Sequence, residues 1–301
     1  MSNKGMIGIQ MSTIKKKVEE IGAYETMRVC AEMGYHCIEL SQIPMTEENV
    51  TEFKRAKDDF DITICAMNAS MTSLFPGAES LESNYEKIIS DCETLDCRIL
   101  RIGSGPMNQL NSREGVLQYC EEIEKFVSKL KEDGIDYYYH NHATEFAKFD
   151  GEYILDILKN NTSIGFELDT HWIQAGGENP VEIIKRYSGR IRLLHLKDYR
   201  IVPIKVDYSR FRNRRAEDSK TSPDTTTTPA APRINPQYTS IQFAELGEGN
   251  LDIRGCIEAG LAGGCEYFLI EQDSTYERDP FESIKISRDH LISLGYADWF
   301  E

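Results

Sequence analysis

The sequence has no CxxC pair, although it carries eight cysteines, at 30, 37, 65, 92, 97, 120, 256 and 265. That spacing argues against a cysteine-built zinc cluster. Most of these cysteines sit inside apolar helix or strand patterns, as the buried, reduced thiols of a cytoplasmic protein do. There is no apolar run of membrane-spanning length, and "MSNKGMIGIQMS" lacks the charged-then-apolar order of a secretory leader. No membrane partner is expected. No G-x-G-x-x-G follows the first apolar run, and "GSGPMNQL" lacks the lysine of a P-loop, which tells against a nucleotide-binding open sheet. Positive charge is short: 34 Lys and Arg face 50 Asp and Glu, a formal net charge of −16. Such a chain is a poor match for a nucleic-acid backbone, and solubility is the plainest use of its acidity.

What is present is a regular alternation. Eight short apolar runs begin with "MIGIQ" at Met6, "HCIEL" at His36, "DITICAMN" at Asp61 and "CRILRIG" at Cys97. They continue with "DYYYHNH" at Asp136, "SIGFELD" at Ser163, "RIRLLHLKD" at Arg190 and "EYFLIEQD" at Glu266. Between them lie amphipathic segments such as "TEENVTEFKRAKDDF" and "REGVLQYCEEIEKFVSKLKEDG", the second stopping at Gly134. Eight strands interleaved with helices predict an α/β fold, a single (β/α)8 (TIM) barrel domain over residues 1–301. At 301 residues, the length is that of one large core.

The alternation breaks once, after the seventh run, with an inserted loop at about 201–242. It holds a basic cluster (Arg210, Arg212, Arg214, Arg215) and a Thr/Pro-rich tract from Thr221 to Pro232. So long a connection reads as a solvated insertion, a lid or a contact for a partner subunit or second copy. It leaves a barrel strand at its C-terminal end, the face where barrel enzymes keep their chemistry.

The chain has only six histidines, and two of them fall in "IDYYYHNHATEF". His140 and His142 stand on alternate positions of a strand end, so both point the same way. The last four runs end in "YHNHATEF", "FELDTHW", "LLHLKD" and "LIEQD". They bring Asp169, His195 and Glu271 to equivalent places, with His140, His142 and Glu145 on the fifth. Carboxylates aimed at one point repel unless a cation or protons neutralise them. A divalent metal ion meets that demand. Mn2+ is the first expectation for mixed carboxylate and imidazole ligands, and Mg2+, Co2+ and Zn2+ also suit them.

The motifs "YHNHATEF", "FELDTHWIQAGGENPVE", "GRIRLLHLKDY", "FAELGEGNLD" and "YFLIEQD…DPFESIKIS", in that order, resemble the xylose-isomerase-like sugar phosphate isomerase/epimerase superfamily of divalent-metal barrels. The resemblance spans Met6 to Phe300. It implies one metal ion held by a glutamate after the fifth strand together with Asp169, His195 and Glu271. Glu145 is the expected fourth ligand, since three carboxylates and one imidazole suit a hard cation. His140 is the alternative. The implied activity is isomerisation or epimerisation of a small sugar or keto-sugar, by removal of a proton next to a carbonyl while the metal stabilises the enediolate.

His142 is the first candidate for the base and His140 the second. Lys197, a further catalytic candidate, is placed to bind a substrate oxygen or phosphate, or to pair with Asp198. His171 and Trp172 are candidate substrate contacts. Glu248 within "GEGNLD" is close enough in sequence to the mouth to be noted, without a role assigned. The same base and metal on a 3-keto-glycoside would instead expel the aglycone, a lyase reaction. A DNA-repair nuclease on this barrel would need a basic groove, which an acidic chain does not provide.

Overall fold

The computed structural model describes residues 4–73, 77–203 and 239–300. All eight apolar runs form parallel strands of one closed barrel. They are β1 (Met6–Gln10), β2 (Cys37–Leu40), β3 (Thr63–Asn68), β4 (Ile99–Ile102), β5 (Asp136–His140), β6 (Gly165–Asp169), β7 (Ile191–Leu196) and β8 (Tyr267–Ile270). Each pairs with its neighbours in sequence order, and β1 closes on β8 from Met6 against Tyr267 to Ile9 against Ile270. Register brings Asp169 beside His195, His195 beside Leu269, and His140 beside Glu167. The expected (β/α)8 barrel is therefore the fold.

Helices form where polar starts meet apolar periodicity. Thr46 accepts from Asn49 N and starts the helix Glu47–Phe60; Ser112 accepts from Gly115 N and starts Arg113–Glu132. The first of these stops at Asp61, in the left-handed region at φ 52°. Their apolar stripes (Val50, Phe53 and Ala56; Val116, Tyr119, Cys120 and Ile123) pack in the shell between helices and strands. Among the described residues no helix is long and apolar enough to cross a membrane. All eight cysteines are buried and unpaired, as their apolar settings predict.

The barrel interior is layered, and the strand period of two builds the layers. Glu39, Arg101, His140, His195 and Glu271 are each preceded, two positions earlier, by Cys37, Ile99, Tyr138, Leu193 and Leu269. Those five, with Cys65 and Ala66, form a separate small apolar cluster. A polar layer thus sits on an apolar plug. On β6 the plug position is Gly165, and a Cβ there would lie 2.3 Å from the Tyr138 ring. The missing side chain makes room for the tyrosine.

The chain divides into two compact units, residues 1–199 with 243–301, and residues 200–242. Strands Asp198–Pro203 and Thr239–Ala244 pair in a two-stranded sheet, and Arg200 Nε donates to Gln242 Oε1 at 3.4 Å. The basic cluster and the Thr/Pro tract of the expected insertion lie outside the described residues.

The glycine–tyrosine fit is open to test. Gly165→Ala should destabilise the fold by about 1–3 kcal/mol, the usual cost of overpacking. Adding Tyr138→Leu should return part of that loss in urea titrations. A purely additive double variant would show that the two positions do not share space.

Candidate metal centre

Four side chains from consecutive barrel strands meet at the C-terminal mouth. His140 ends β5, Asp169 ends β6, His195 is near the end of β7, and Glu271 follows β8. One ligand-type atom from each lies within 4.8 Å of the others, and all four residues are buried. His140 Nε2 is 3.5 Å from Asp169 Oδ2 and 4.0 Å from Glu271 Oε2. His195 Nδ1 is 2.8 Å from Glu271 Oε2 and 3.9 Å from Asp169 Oδ2. Bonds of ~2.1 Å to a single divalent ion put neighbouring ligand atoms roughly 3–4 Å apart, so the spacing suits one ion.

The unsatisfied atoms agree with that fit. Both nitrogens of His140, Nδ1 of His195, Oδ2 of Asp169 and Oε2 of Glu271 are buried with no directed hydrogen bond among the described residues. Buried polar atoms are rarely left so, and four of these around one point, with Nε2 the atom of His140 that faces it, suit a cation. The remaining oxygens are engaged: Glu271 Oε1 accepts from Gln10 Nε2 at 2.9 Å, and Asp169 Oδ1 accepts from Trp172 N at 2.9 Å. Burial, with the charges of His195 and Arg101, holds the His140 imidazole well below its usual pKa and therefore neutral. The cluster is able to hold one divalent metal ion.

His195 belongs to a second group as well. Its Nε2 lies 2.8 Å from Glu39 Oε2 and 3.1 Å from Glu167 Oε1. These three could also crowd a metal, but Arg101 already supplies the positive charge. Its guanidinium reaches Glu39 Oε1 at 2.6 Å, Glu167 Oε2 at 3.0 Å and Ser41 Oγ at 3.0 Å. Burial would raise the Glu39 carboxyl, but Arg101 and His195 hold it down, to about 2. Burial and the neighbouring Glu39 push Glu167 up to about 7.

The four-residue group includes His140, the alternative fourth ligand, rather than Glu145, the expected one. The cause is local. Glu145 lies in the short 3-10 turn Ala143–Phe146, where its oxygens accept from Tyr139 Oη at 2.8 Å and His142 N at 2.7 Å. It braces the strand end. His142 reaches the cleft beside His140, with ring centres 4.9 Å apart, and its other face meets Trp172 at 5.2 Å.

Lys197 pairs with carboxylates other than the expected Asp198. Its Nζ lies 2.9 Å from Glu271 Oε2, 3.2 Å from Asp169 Oδ2 and 3.1 Å from Asp273 Oδ1. Burial alone would lower its pKa; Asp169 and Glu271 outweigh that and keep the ammonium charged. Asp198 accepts from the backbone of Tyr199, Gly247, Asn250 and Leu251 instead. Trp172 backs Lys197, whose Nζ is 5.3 Å from the ring centre. His171 is buried against Trp172, Tyr199 and Phe243. Neither His171 nor Trp172 is among the described residues lining the cleft. Glu248 pairs with Arg278.

Four further residues matter: Glu39, Arg101, Glu167 and Asn141, whose Oδ1 accepts from Asp169 N at 3.0 Å. Three had a signal in the sequence. A charge in the middle of an apolar run ("HCIEL", "CRILRIG", "FELD") is costly on a buried strand unless it is paired.

A cleft of about 900 Å³ opens over the cluster. Gln10, Arg101, His140, His142, Lys197, Glu271 and Asp273 line its inner part, and Leu40, Ile43, Pro44, Met45 and Met67 an apolar wall.

A model of the family described as "Xylose isomerase-like TIM barrel" matches residues 27–286. The chain belongs to that family. Among solved structures it is similar to a sugar phosphate isomerase/epimerase from Parabacteroides distasonis ATCC 8503, with a TM-score of 0.68 and 18% identity over 97% of this chain and 99% of that one. It is similar to the probable 3-DHS dehydratase AsbF of Bacillus anthracis, with a TM-score of 0.65 and 14% identity over 95% and 98%. The IOLI protein, solved with a zinc atom, matches with a TM-score of 0.61 and 13% identity over 96% and 97%. At these identities the likeness is one of fold. No curated protein matches the sequence.

Proposed function

We propose that the protein is a divalent-metal-dependent isomerase or epimerase of a small sugar or keto-sugar. The observation that carries this is the meeting of His140, Asp169, His195 and Glu271, with unsatisfied buried atoms, at the floor of an open cleft. The name of the Parabacteroides relative and the zinc of the IOLI structure support it. These four residues would hold the metal, which supplies a Lewis acid that polarises the oxygens of a bound sugar.

The rest is done by the chain. His142, in the cleft and outside the metal set, takes the proton next to the carbonyl on one imidazole nitrogen; isomerisation returns it to the neighbouring carbon while the hydroxyl proton passes between the two oxygens, and epimerisation returns a proton to the same carbon on its other face. Trp172 fixes its ring from behind. Lys197, held charged by its three carboxylates, presents an ammonium beside the reacting oxygens. The low-dielectric floor strengthens both effects.

The lyase reading on a 3-keto-glycoside remains as a second, favoured by one feature. The cleft is at the upper end of small-molecule sites, and its apolar wall suits an aglycone. Metal-loaded protein given keto-sugars and 3-keto-glycosides in D2O decides between them. Deuterium in a recovered isomer supports isomerisation; release of the aglycone supports elimination. Neither product would sink both.

Two sets of variants test the roles. Asp169→Ala should lose metal by elemental analysis and lose turnover, while circular dichroism stays that of the folded barrel. Full metal occupancy in that variant would refute the ligand set. His142→Asn should keep its metal and its substrate, yet lose about 10²–10⁴ in kcat. Glu145→Gln should keep metal with some loss of thermal stability, because its oxygens brace Tyr139 and the His142 backbone. Metal loss there with full retention in His140→Ala would exchange the two residues.

A further inference from the structure

We propose that Glu39 is a positioning residue for the metal centre, setting the tautomer and orientation of His195 from inside the barrel. This rests on the metal reading above. His195 is fully buried and has two carboxylate neighbourhoods, Asp169 and Glu271 on the Nδ1 side and Glu39 and Glu167 on the Nε2 side. An imidazole coordinates through an unprotonated nitrogen, so the proton must sit on the other one. Glu39 is the directed acceptor at 2.8 Å; neither oxygen of Glu167 has a directed hydrogen bond among the described residues. With Nε2–H given to Glu39, the Nδ1 lone pair faces Asp169 and Glu271.

Glu39 is itself held in place. Its Oε1 takes the Arg101 guanidinium at 2.6 Å while its Oε2 takes His195. Each oxygen has one donor, so the carboxylate cannot turn without losing both. The register shifts in the described ladders lie opposite Ile38 and Glu39, where β3 carries the extra residue Cys65, and opposite Phe166 and Glu167, where β7 carries the extra residue Arg192. Such irregularities re-aim side chains of the strand that holds the extra residue. The second lies three residues before His195 and sets the register that brings His195 beside Asp169.

The informative variant is Glu39→Gln, which keeps the shape but has one oxygen for two donors. Arg101 takes that oxygen, and the amide NH2 then faces Nε2 of His195. The imidazole answers by moving its proton to Nδ1, which faces the metal ligands. In 15N-labelled, metal-free protein, brought to a pH at which the imidazole is neutral, His195 should switch from the Nε2–H to the Nδ1–H form. Titration with Mn2+ should show affinity weakened by about 10–100-fold, the usual cost of losing such a partner. Glu167→Gln, which removes no directed bond, should keep both the tautomer and the affinity.

A Glu39→Gln protein with the unmodified tautomer, or with unmodified Mn2+ affinity, overturns the inference. Equal loss in Glu167→Gln also overturns it, since general charge removal would then be the cause. If the unmodified protein binds no Mn2+, Co2+ or Zn2+, the metal reading falls and takes this role with it; the His195 tautomer still shows which of the two failed.

Discussion

Charge buried inside a closed barrel is the constraint on which the rest of the structure depends. Glu39, Glu167, Asp169 and Glu271 are at most 5% exposed and lie within the reach of one histidine. Unpaired, each would cost several kcal/mol in desolvation, and their repulsion would add to it. Arg101 answers the inner pair and Lys197 the outer pair. Imidazoles from His140 and His195 fill the space between. What this leaves over is a set of atoms facing the mouth with no directed hydrogen bond among the described residues, and deeper in the barrel the two oxygens of Glu167 are left in the same state.

The layering explains how one strand serves both stability and chemistry. On β2, β4, β5, β7 and β8, an apolar residue two positions before each polar one closes the interior against water. The polar residue then sits on a firm floor with its rotamer limited by its neighbours. Rotamers limited in this way keep the four clustered residues in one geometry, as a site able to take a metal ion needs. The turn after β5 extends the same logic into a loop. There Glu145 spends both oxygens on the chain itself and so holds His142 at the cleft.

The barrel was legible in the sequence because eight apolar runs at regular spacing have few other ways to bury both faces. The meeting of Asp169, His195 and Glu271 was legible because each sits at a strand end, where the fold dictates direction. The place of Glu145 was not, because a residue several positions into a turn can face either way, and local donors hold it there. For Lys197 a neighbour in sequence, Asp198, was one of two expectations, yet the carboxylates it pairs with follow strands distant along the chain. Glu39, Arg101 and Glu167 carried a signal as isolated charges within apolar runs, but their mutual pairing depends on register shifts that no local pattern announces.

The brace formed by Asp198 has a consequence for how the chain tolerates change. Its carboxylate gathers backbone amides from Gly247, Asn250 and Leu251, and Asn250 N also donates to Tyr199 O at 2.7 Å. The chain on either side of residues 200–242 is thus fastened at a fixed separation. The entropy of closing a loop grows only with the logarithm of its length, by about 0.6 kcal/mol for each doubling. With its two ends already tied, the barrel is nearly indifferent to how many residues are threaded between them. Segments of very different length and composition could be exchanged at this one seam, and the barrel would pass unaltered from one to the next.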